Sequence, residues 1–305
     1  MSKKKEYVQF LEEVLKHVEV NFEGKVKGEI NTSIKNNGVP VMGLLLKAEE
    51  ERVAPNFYLD QQFIEWMRGL RTMEEIAAEL CEAYVREVTK NSHLVSDISF
   101  TWEEFRRNVF MRLVNKEKNE ELLKNIPYRE FMDLAVIYYY SVPISDDVTG
   151  TMIITQEHVR VLSVTPEELH RAAECNCQRF QPAKIRSMEE VMHNLGKHLG
   201  IPVEETTREQ SCLYVLSNSI GMFGAVSMIF EGELKRFANR LEMSFFILPS
   251  SVHEVILVPE HETFCIEYFQ QMVKEINETQ VEATEVLSDS IYYYDRKTEE
   301  LRRVA

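Results

Sequence analysis

Apolar residues recur every three or four positions in several stretches of this chain, which is the spacing of one helix face. Near the start, the residues that share such a face are Val8, Leu11, Val14, Leu15 and Val18. Four later stretches open with a hydroxyl residue and carry glutamate three positions on, so that each side chain can bond the backbone amide of the other. These openings are at Thr72, Thr101, Thr165 and Ser187. The pattern predicts helices that begin at these positions.

β-Branched and aromatic segments between the helices predict strands joined as hairpins. Residues 28–34 and 39–47 flank Asn36–Gly38, a turn sequence that favours positive φ. Residues 109–114 and 134–142 are two further apolar strand segments. In the last third, strands are predicted at residues 212–216, 225–230, 245–249, 254–259, 291–294 and 301–304, and helices at residues 231–243 and 263–276. This ββαββα order with a final hairpin predicts an α+β fold, built largely from antiparallel strand pairs packed with helices.

The length of 305 residues suits two domains of ordinary size. We predict the boundary in the polar connection at residues 179–187, which separates two capped helices. This division gives an N-terminal α+β region, residues 1–180, and a C-terminal α+β region, residues 181–305. One continuous domain is the alternative, because no Pro/Ser-rich linker separates the two regions.

Charge and hydropathy restrict the classes of partner. The chain has 50 acidic against 35 basic residues, a formal net charge of −15, which opposes binding to nucleic acid phosphates. No run reaches the roughly 18 apolar residues of a membrane-spanning helix. The basic opening of the chain is not followed by the apolar segment of a signal peptide, and the five cysteines form no disulfide framework. We expect a cytoplasmic protein with neither a membrane nor a nucleic acid as partner.

The strongest candidate for catalysis is the run from Ser250 to Glu254. A serine nucleophile requires a base within hydrogen-bonding reach and a third group that orients the base. Ser251 and His253 share one side of an extended chain, and Asp289 or Asp295 could supply the acid. A Ser-rich turn, whose hydroxyls bond local backbone amides, is the alternative. The catalytic candidates are Ser250, Ser251, His253, Glu254 and Asp295.

The spacing of cysteines and histidines predicts no metal or cofactor site. Cys175 and Cys177 lie two apart on a predicted helix and therefore face different directions, and no second cysteine pair completes a zinc set. His253 begins a pattern like the zinc-protease motif H-E-x-x-H, but Leu257 stands where the second histidine is required. Glycine-rich phosphate-binding motifs do not occur in the sequence.

Three segments of the last third are distinctive: LYVLSN at residues 213–218, FFILPSSVHEVILVP at residues 245–259, and EVLSDSIYYYDRK at residues 285–297. Together they resemble an uncharacterised family from anaerobic gut bacteria, catalogued as domain of unknown function 5688, and the resemblance runs over most of the chain. It implies a bacterial cytosolic protein and brings no activity, cofactor or catalytic residue.

We therefore expect a non-enzymatic protein that acts through association with another macromolecule or with itself. The reason is that well-defined helices and strands accompany no assembled catalytic set. The alternative is a hydrolase or transferase with a Ser-His site around Ser250 to Glu254.

Overall fold

The structure is a computed structural model that describes residues 3–48, 54–94, 101–145, 148–199, 213–230, 232–249, 251–260 and 265–305. Within these residues, helices combine with antiparallel sheets, which confirms the predicted α+β class. Contacts group the chain into two compact units. Unit 1 is Met1–Lys35, Val39–Ile98 and Pro143–Thr149, and unit 2 is Asn36–Gly38, Ser99–Val142 and Gly150–Ala305. The predicted division into residues 1–180 and 181–305 stays a prediction, because it concerns which segments fold independently.

Unit 1 combines helices with a small antiparallel sheet. Its helices are α1 (Lys3–Asn21), α2 (Asp60–Met67) and α3 (Met73–Leu94). Its sheet has the order β1 (Val26–Ile34), β2 (Pro40–Ala48) and β3 (Asn56–Phe57). The predicted hairpin is confirmed, because β1 pairs with β2 along its whole length and Asn37 has a φ of 61° in the turn.

The core of unit 1 forms where α1 packs against α3. Leu11, Val14 and Val18 of the predicted apolar stripe have no exposed surface. The start of α3 confirms the predicted cap: Thr72 N–H donates to Glu75 Oε2 at 2.9 Å, and Glu75 N–H donates to the Thr72 hydroxyl at 3.2 Å. These two bonds satisfy backbone donors that a helix start otherwise leaves unpaired.

Two further antiparallel sheets are built largely from unit 2. One contains β4 (Val109–Asn115), β5 (Tyr128–Phe131), β6 (Leu134–Ser145) and β7 (Val148–Ile153); its order is β4-β6-β5, and β7 also pairs with β6. The other contains β8 (Ala183–Ser187), β9 (Tyr214–Asn218), β10 (Phe245–Leu248), β11 (Val255–Pro259), β12 (Tyr292–Asp295) and β13 (Glu300–Arg303), in the order β13-β12-β10-β11-β9-β8.

The helices of unit 2 are α4 (Trp102–Phe105), α5 (Glu120–Leu123), α6 (Gln156–Val161), α7 (Pro166–Phe180), α8 (Met188–Leu199), α9 (Glu233–Leu241) and α10 (Ile266–Thr279). On α7, Leu169, Ala173 and Cys177 repeat every four residues and are at most 1% exposed. They belong to an apolar core that also includes Phe237 of α9, which meets Phe245 of β10 edge-on with 5.0 Å between ring centres.

The predicted caps in unit 2 form to different extents. Thr165 makes the complete reciprocal pair with Glu168 at the start of α7, as predicted. At Ser187, the hydroxyl accepts the N–H of Glu190 at 3.1 Å. At Thr101, the hydroxyl instead donates to the Glu104 carboxylate at 2.9 Å, and α4 is only four residues long. The predicted reciprocal cap is therefore not formed at the start of this short helix.

Two segments differ from their predicted structure. Residues 225–230, predicted as a strand, form the 3-10 helix Gly224–Ile229, because Phe223 adopts a left-handed backbone conformation with φ 55° and turns the chain just before it. Apart from Ser227, residues 225–230 are apolar and do not alternate with polar ones, and such a run does not distinguish a strand from a helix. The polar connection at residues 179–187 contains β8, an edge strand that pairs with β9.

Asp133 links the two sheets of unit 2. It lies in the turn between β5 and β6, and its carboxylate accepts hydrogen bonds from the Tyr292 hydroxyl at 2.7 Å and the Ser288 hydroxyl at 2.5 Å. Tyr292 lies on β12 and has no exposed surface. Burial, together with the adjacent Asp133 carboxylate, raises the pKa of Tyr292 far above its usual value. The hydroxyl therefore keeps its proton and donates it to the hydrogen bond.

Replacing Tyr292 by phenylalanine removes this donor and keeps the buried ring. We expect Tyr292→Phe to lower the free energy of unfolding by about 1.5–3 kcal/mol, the range for a hydrogen bond to a charged group, as measured by urea unfolding. The control is Tyr294→Phe in the same strand, whose hydroxyl has no hydrogen-bond partner among the described residues. This control should change the free energy by less than about 0.5 kcal/mol. Equal losses in the two variants would contradict the anchoring role of Asp133.

Candidate functional site

The turn between β10 and β11 holds the serine cluster predicted to be catalytic. The structure describes it from Ser251 onward, and Ser250 lies outside the described residues. The Ser251 hydroxyl accepts a hydrogen bond from the backbone N–H of His253 at 3.0 Å. The Ser251 N–H donates to the backbone oxygen of Glu254 at 3.3 Å. Ser251 thus stabilises the turn through local bonds of the kind serine commonly makes.

Both ring nitrogens of His253 have partners other than Ser251. Nδ1 accepts a hydrogen bond from the backbone N–H of Phe223 at 3.1 Å. Nε2 lies 3.4 Å from Oε1 of Glu285. Because Nδ1 is an acceptor, the neutral ring carries its proton on Nε2, on the side of Glu285. These contacts orient the imidazole and define its tautomer.

The acids predicted to complete a catalytic set make other contacts. Asp289 Oδ1 accepts the side-chain amide of Asn277 at 2.8 Å. Asp295 Oδ1 accepts the N–H of Lys297 at 2.8 Å, in the turn between β12 and β13. The acid beside His253 is Glu285, far along the chain, and its only sequence signal is its place at the start of the distinctive segment 285–297. The catalytic roles of Ser250, Ser251, His253, Glu254 and Asp295 stay predictions.

A loop after β9 places Phe223 beside His253. Asn218 organises this loop: its Oδ1 accepts two backbone N–H groups at 3.2 and 2.8 Å, and its Nδ2 donates to a backbone oxygen at 2.8 Å. Gly224 then approaches β9 so closely that a methyl group there would collide with the Ser217 hydroxyl and lie 2.7 Å from the backbone oxygen of His253. A residue without a side chain is therefore required at this position.

Arg112 of β4 contacts the same phenylalanine. Its Cζ lies 4.5 Å from the centre of the Phe223 ring, a cation–π contact. The His253 ring stacks on Phe223, with 5.5 Å between centres and 13° between planes. Tyr139 meets Phe223 edge-on at 5.3 Å. The ring of Phe223 thus contacts a guanidinium, an imidazole and a phenol. The left-handed backbone of Phe223 is unusual for a large residue, and the hydrogen bond from its N–H to His253 stabilises this conformation.

Arg112 has no charged partner among the described residues. Its Nε has no exposed surface and no hydrogen-bond acceptor, although the residue as a whole is partly exposed. Burial lowers the pKa of Arg112 to about 10, so the guanidinium remains protonated at neutral pH. The neighbouring Tyr139 is neutral, because burial raises its pKa to about 12. Its hydroxyl accepts a hydrogen bond from the Gln181 amide at 3.2 Å.

The two cysteines of α7 point to different environments, as their spacing predicts. Cys177 is buried, and its Sγ accepts the backbone N–H of Met111 at 3.4 Å. Burial raises the pKa of the Cys177 thiol to about 12, which makes it a poor nucleophile. Cys175 is exposed. Within the described ranges, no three histidine, cysteine or acidic side chains lie close enough to hold a metal ion.

A family model covers nearly the whole chain. The model of DUF5688, described as a family of unknown function, matches residues 7–296. The chain belongs to DUF5688. This finding confirms the resemblance of the segments at residues 213–218, 245–259 and 285–297. No curated protein and no solved structure matches this DUF5688 chain. In the part of the chain that the structure describes, no helix combines the length and apolar character needed to cross a membrane.

The hydrogen bond between Phe223 and His253 can be tested in this DUF5688 protein with two substitutions of similar size. His253→Asn keeps an acceptor near the position of Nδ1, whereas His253→Leu removes it. We expect the leucine variant to lose about 1–2 kcal/mol more free energy of unfolding than the asparagine variant, because it leaves the Phe223 N–H without its partner. Urea unfolding of both variants measures the difference. A leucine variant as stable as the asparagine variant would argue against this bond.

Proposed function

We propose that this protein acts by associating with another protein, either a different chain or a second copy of itself, and that it is not an enzyme. The observation that carries the proposal is an exposed apolar surface in unit 1. It consists of Ile64 and Met67 of α2 and Leu70 just beyond it, and we refer to these three residues as the α2 surface.

Helix α2 is apolar on two sides. One side points into the core of unit 1, where the rings of Phe63 and Trp66 lie 5.3 and 5.4 Å from the ring centre of Phe10. The other side is the α2 surface, whose residues are 49%, 54% and 68% exposed. Residues three apart are neighbours on a helix. Ile64 and Met67 are such a pair, and Leu70 follows in the turn after the helix. Single exposed apolar residues are ordinary, but several so close along the chain are typical of a surface that another chain covers.

The turn after α2 holds this surface in a defined shape. Gly69 has a φ of 68°, and the N–H of Leu70 donates a hydrogen bond to the backbone oxygen of Glu65 at 2.9 Å. This is the hydrogen bond of a Schellman helix end. Arg71 then pairs with Glu79 at 2.5 Å and with Glu65 at 3.5 Å. A preorganised surface loses little conformational freedom on binding, which supports a role in association.

Charge and cysteine state support the remaining parts of the proposal. A formal net charge of −15 favours a protein over a nucleic acid as the partner. Four cysteines within the described ranges are free thiols, namely Cys81, Cys175, Cys177 and Cys265. Free thiols are usual in a reducing compartment. This supports our proposal of a location in the bacterial cytoplasm, which fractionation of the source cells would test.

The association can be tested on the full chain by sedimentation equilibrium and by recovery of bound proteins from the source cells. We expect a complex heavier than the 35.7 kDa chain. The double variant Met67→Gln/Leu70→Gln should weaken this complex at least about tenfold, because buried apolar anchors dominate the affinity of protein interfaces. The matched control is Val20→Gln, which replaces a single apolar residue that is 76% exposed at the end of α1.

The control separates a specific surface from general loss of apolar residues. The proposal holds if the complex is retained in Val20→Gln and lost in the double variant, with unchanged circular dichroism in both. It fails if the wild-type chain is a monomer that retains no protein, or if the double variant retains the same complex with the same affinity.

A further inference from the structure

Arg112 is a cation in the interior of unit 2 whose charge no described residue balances. It occupies the middle of β4, between Met111 and Leu113, which are at most 1% exposed. Its Nε has neither exposed surface nor an acceptor. Buried donors in folded proteins are almost always paired, so an unpaired one on a charged group requires a physical reason.

Several arginines of the described chain show the ordinary arrangement, whereas Arg186 of β8 shares with Arg112 a buried Nε that has no partner there. Arg71, Arg106 and Arg236 each form an ion pair with a glutamate. An arginine taken out of water for a purely structural purpose is normally paired with a carboxylate, because an unpaired interior charge is destabilising. Among the described residues, Arg112 has an aromatic ring, that of Phe223, and no carboxylate against its guanidinium. An aromatic ring supplies no conventional hydrogen-bond acceptor, so this contact leaves the N–H donors of Arg112 available.

We propose that Arg112 binds an oxyanion group, a carboxylate or a phosphate, carried by a small ligand. A guanidinium recognises both groups through two parallel N–H···O bonds along one edge. The Phe223 ring lies against the guanidinium, with Cζ 4.5 Å from the ring centre, so the ligand contacts the N–H donors that the ring leaves open. Because Arg112 is partly exposed although its Nε is not, a ligand can reach the two terminal amino groups of the guanidinium from solvent.

The surroundings of Arg112 favour an anion. The phenol of Tyr139 is neutral, and its hydroxyl is already bonded to the Gln181 amide. No acidic residue of the described ranges forms an ion pair with Arg112 and competes with a ligand. Partial removal from water strengthens a charge pair formed at this position. A formal net charge of −15 repels long polyanions, so the ligand is small.

This site is separate from the association proposed for the α2 surface. Arg112 belongs to unit 2, whereas the α2 surface belongs to unit 1. A test of anion binding by the isolated full chain requires no partner protein. Failure of either proposal therefore leaves the other standing.

The direct test is an NMR titration of the uniformly ¹⁵N-labelled full chain. The Nε–H group of Arg112 is shielded from water, so its signal should persist at neutral pH, and its absence from Arg112→Lys assigns it. Sodium phosphate and sodium acetate are added in separate titrations, with sodium chloride replaced to keep the ionic strength constant. The phosphate and acetate titrations distinguish the two kinds of ligand group.

We expect the Arg112 signal to shift and saturate with at least one of the two anions. The control variant is Arg186→Met, because Arg186 of β8 also has a buried Nε without a partner among the described residues but lies on an edge strand. The Arg112 shift should be unchanged in this variant. An Arg112 signal that responds to neither anion, or that shifts only in parallel with the Arg186 signal, overturns the proposal.

Thermal unfolding provides a second test, because an arginine with a purely structural role would give a different result. The effective anion should raise the melting temperature of the wild-type chain above that in chloride. Arg112→Lys keeps the charge and loses the planar fork, so its apparent affinity should fall at least about tenfold. Arg112→Met should be no less stable than the wild type without the anion, because it removes an unpaired interior charge. A destabilised methionine variant together with an unchanged anion effect in Arg112→Lys overturns the proposal.

Discussion

The turn between β10 and β11 is held by hydrogen bonds from segments that are distant in sequence, and the geometry of the candidate site depends on this clamp. The backbone oxygen of His253 accepts the Ser217 hydroxyl at 2.8 Å, and the oxygen of Val252 accepts the N–H of Ala225 at 3.3 Å. The N–H of Val252 donates to the oxygen of Glu285 at 2.9 Å. Since interior backbone groups must be paired, the turn cannot move without breaking contacts to β9, to the 3-10 helix and to residue 285 together.

This clamp explains why aromatic and charged groups meet at one place. Phe223 enters a left-handed conformation immediately before Gly224, where the chain approaches β9 too closely for any side chain. The same loop brings the ring of Phe223 between groups from β4 and from the turn. The position of Arg112 depends on a different set of contacts. Its strand, β4, pairs with β6, and Asp133 in the turn before β6 accepts a hydrogen bond from Tyr292 of the second sheet. These contacts position Arg112, and none of them supplies a carboxylate for its charge.

The α2 surface and Arg112 depart from ordinary folding rules in opposite ways. Ile64, Met67 and Leu70 are apolar residues left in contact with water, whereas Arg112 is a charge taken partly out of water with no counterion among the described residues. The α1 stripe and the buried face of α7 show the ordinary agreement between local preference and burial. Function is expected at residues whose burial does not match their polarity, because selection for stability alone would replace such residues. The two proposals rest on these exceptions.

The sequence by itself determined the features that depend on residues within a few positions of one another. The caps at Thr72 and Thr165, the hairpin around Asn36–Gly38 and the antiparallel α+β class follow from local hydrogen bonds and turn preferences. Tertiary structure decided the rest. The 3-10 helix at Gly224–Ile229 forms where a strand was predicted, because the close approach to β9 sets the backbone there. The contact of His253 with Glu285 and the isolation of Arg112 depend on partners far along the chain. The sequence gives the chemistry of each side chain, but the pairing of charges depends on how distant segments pack together.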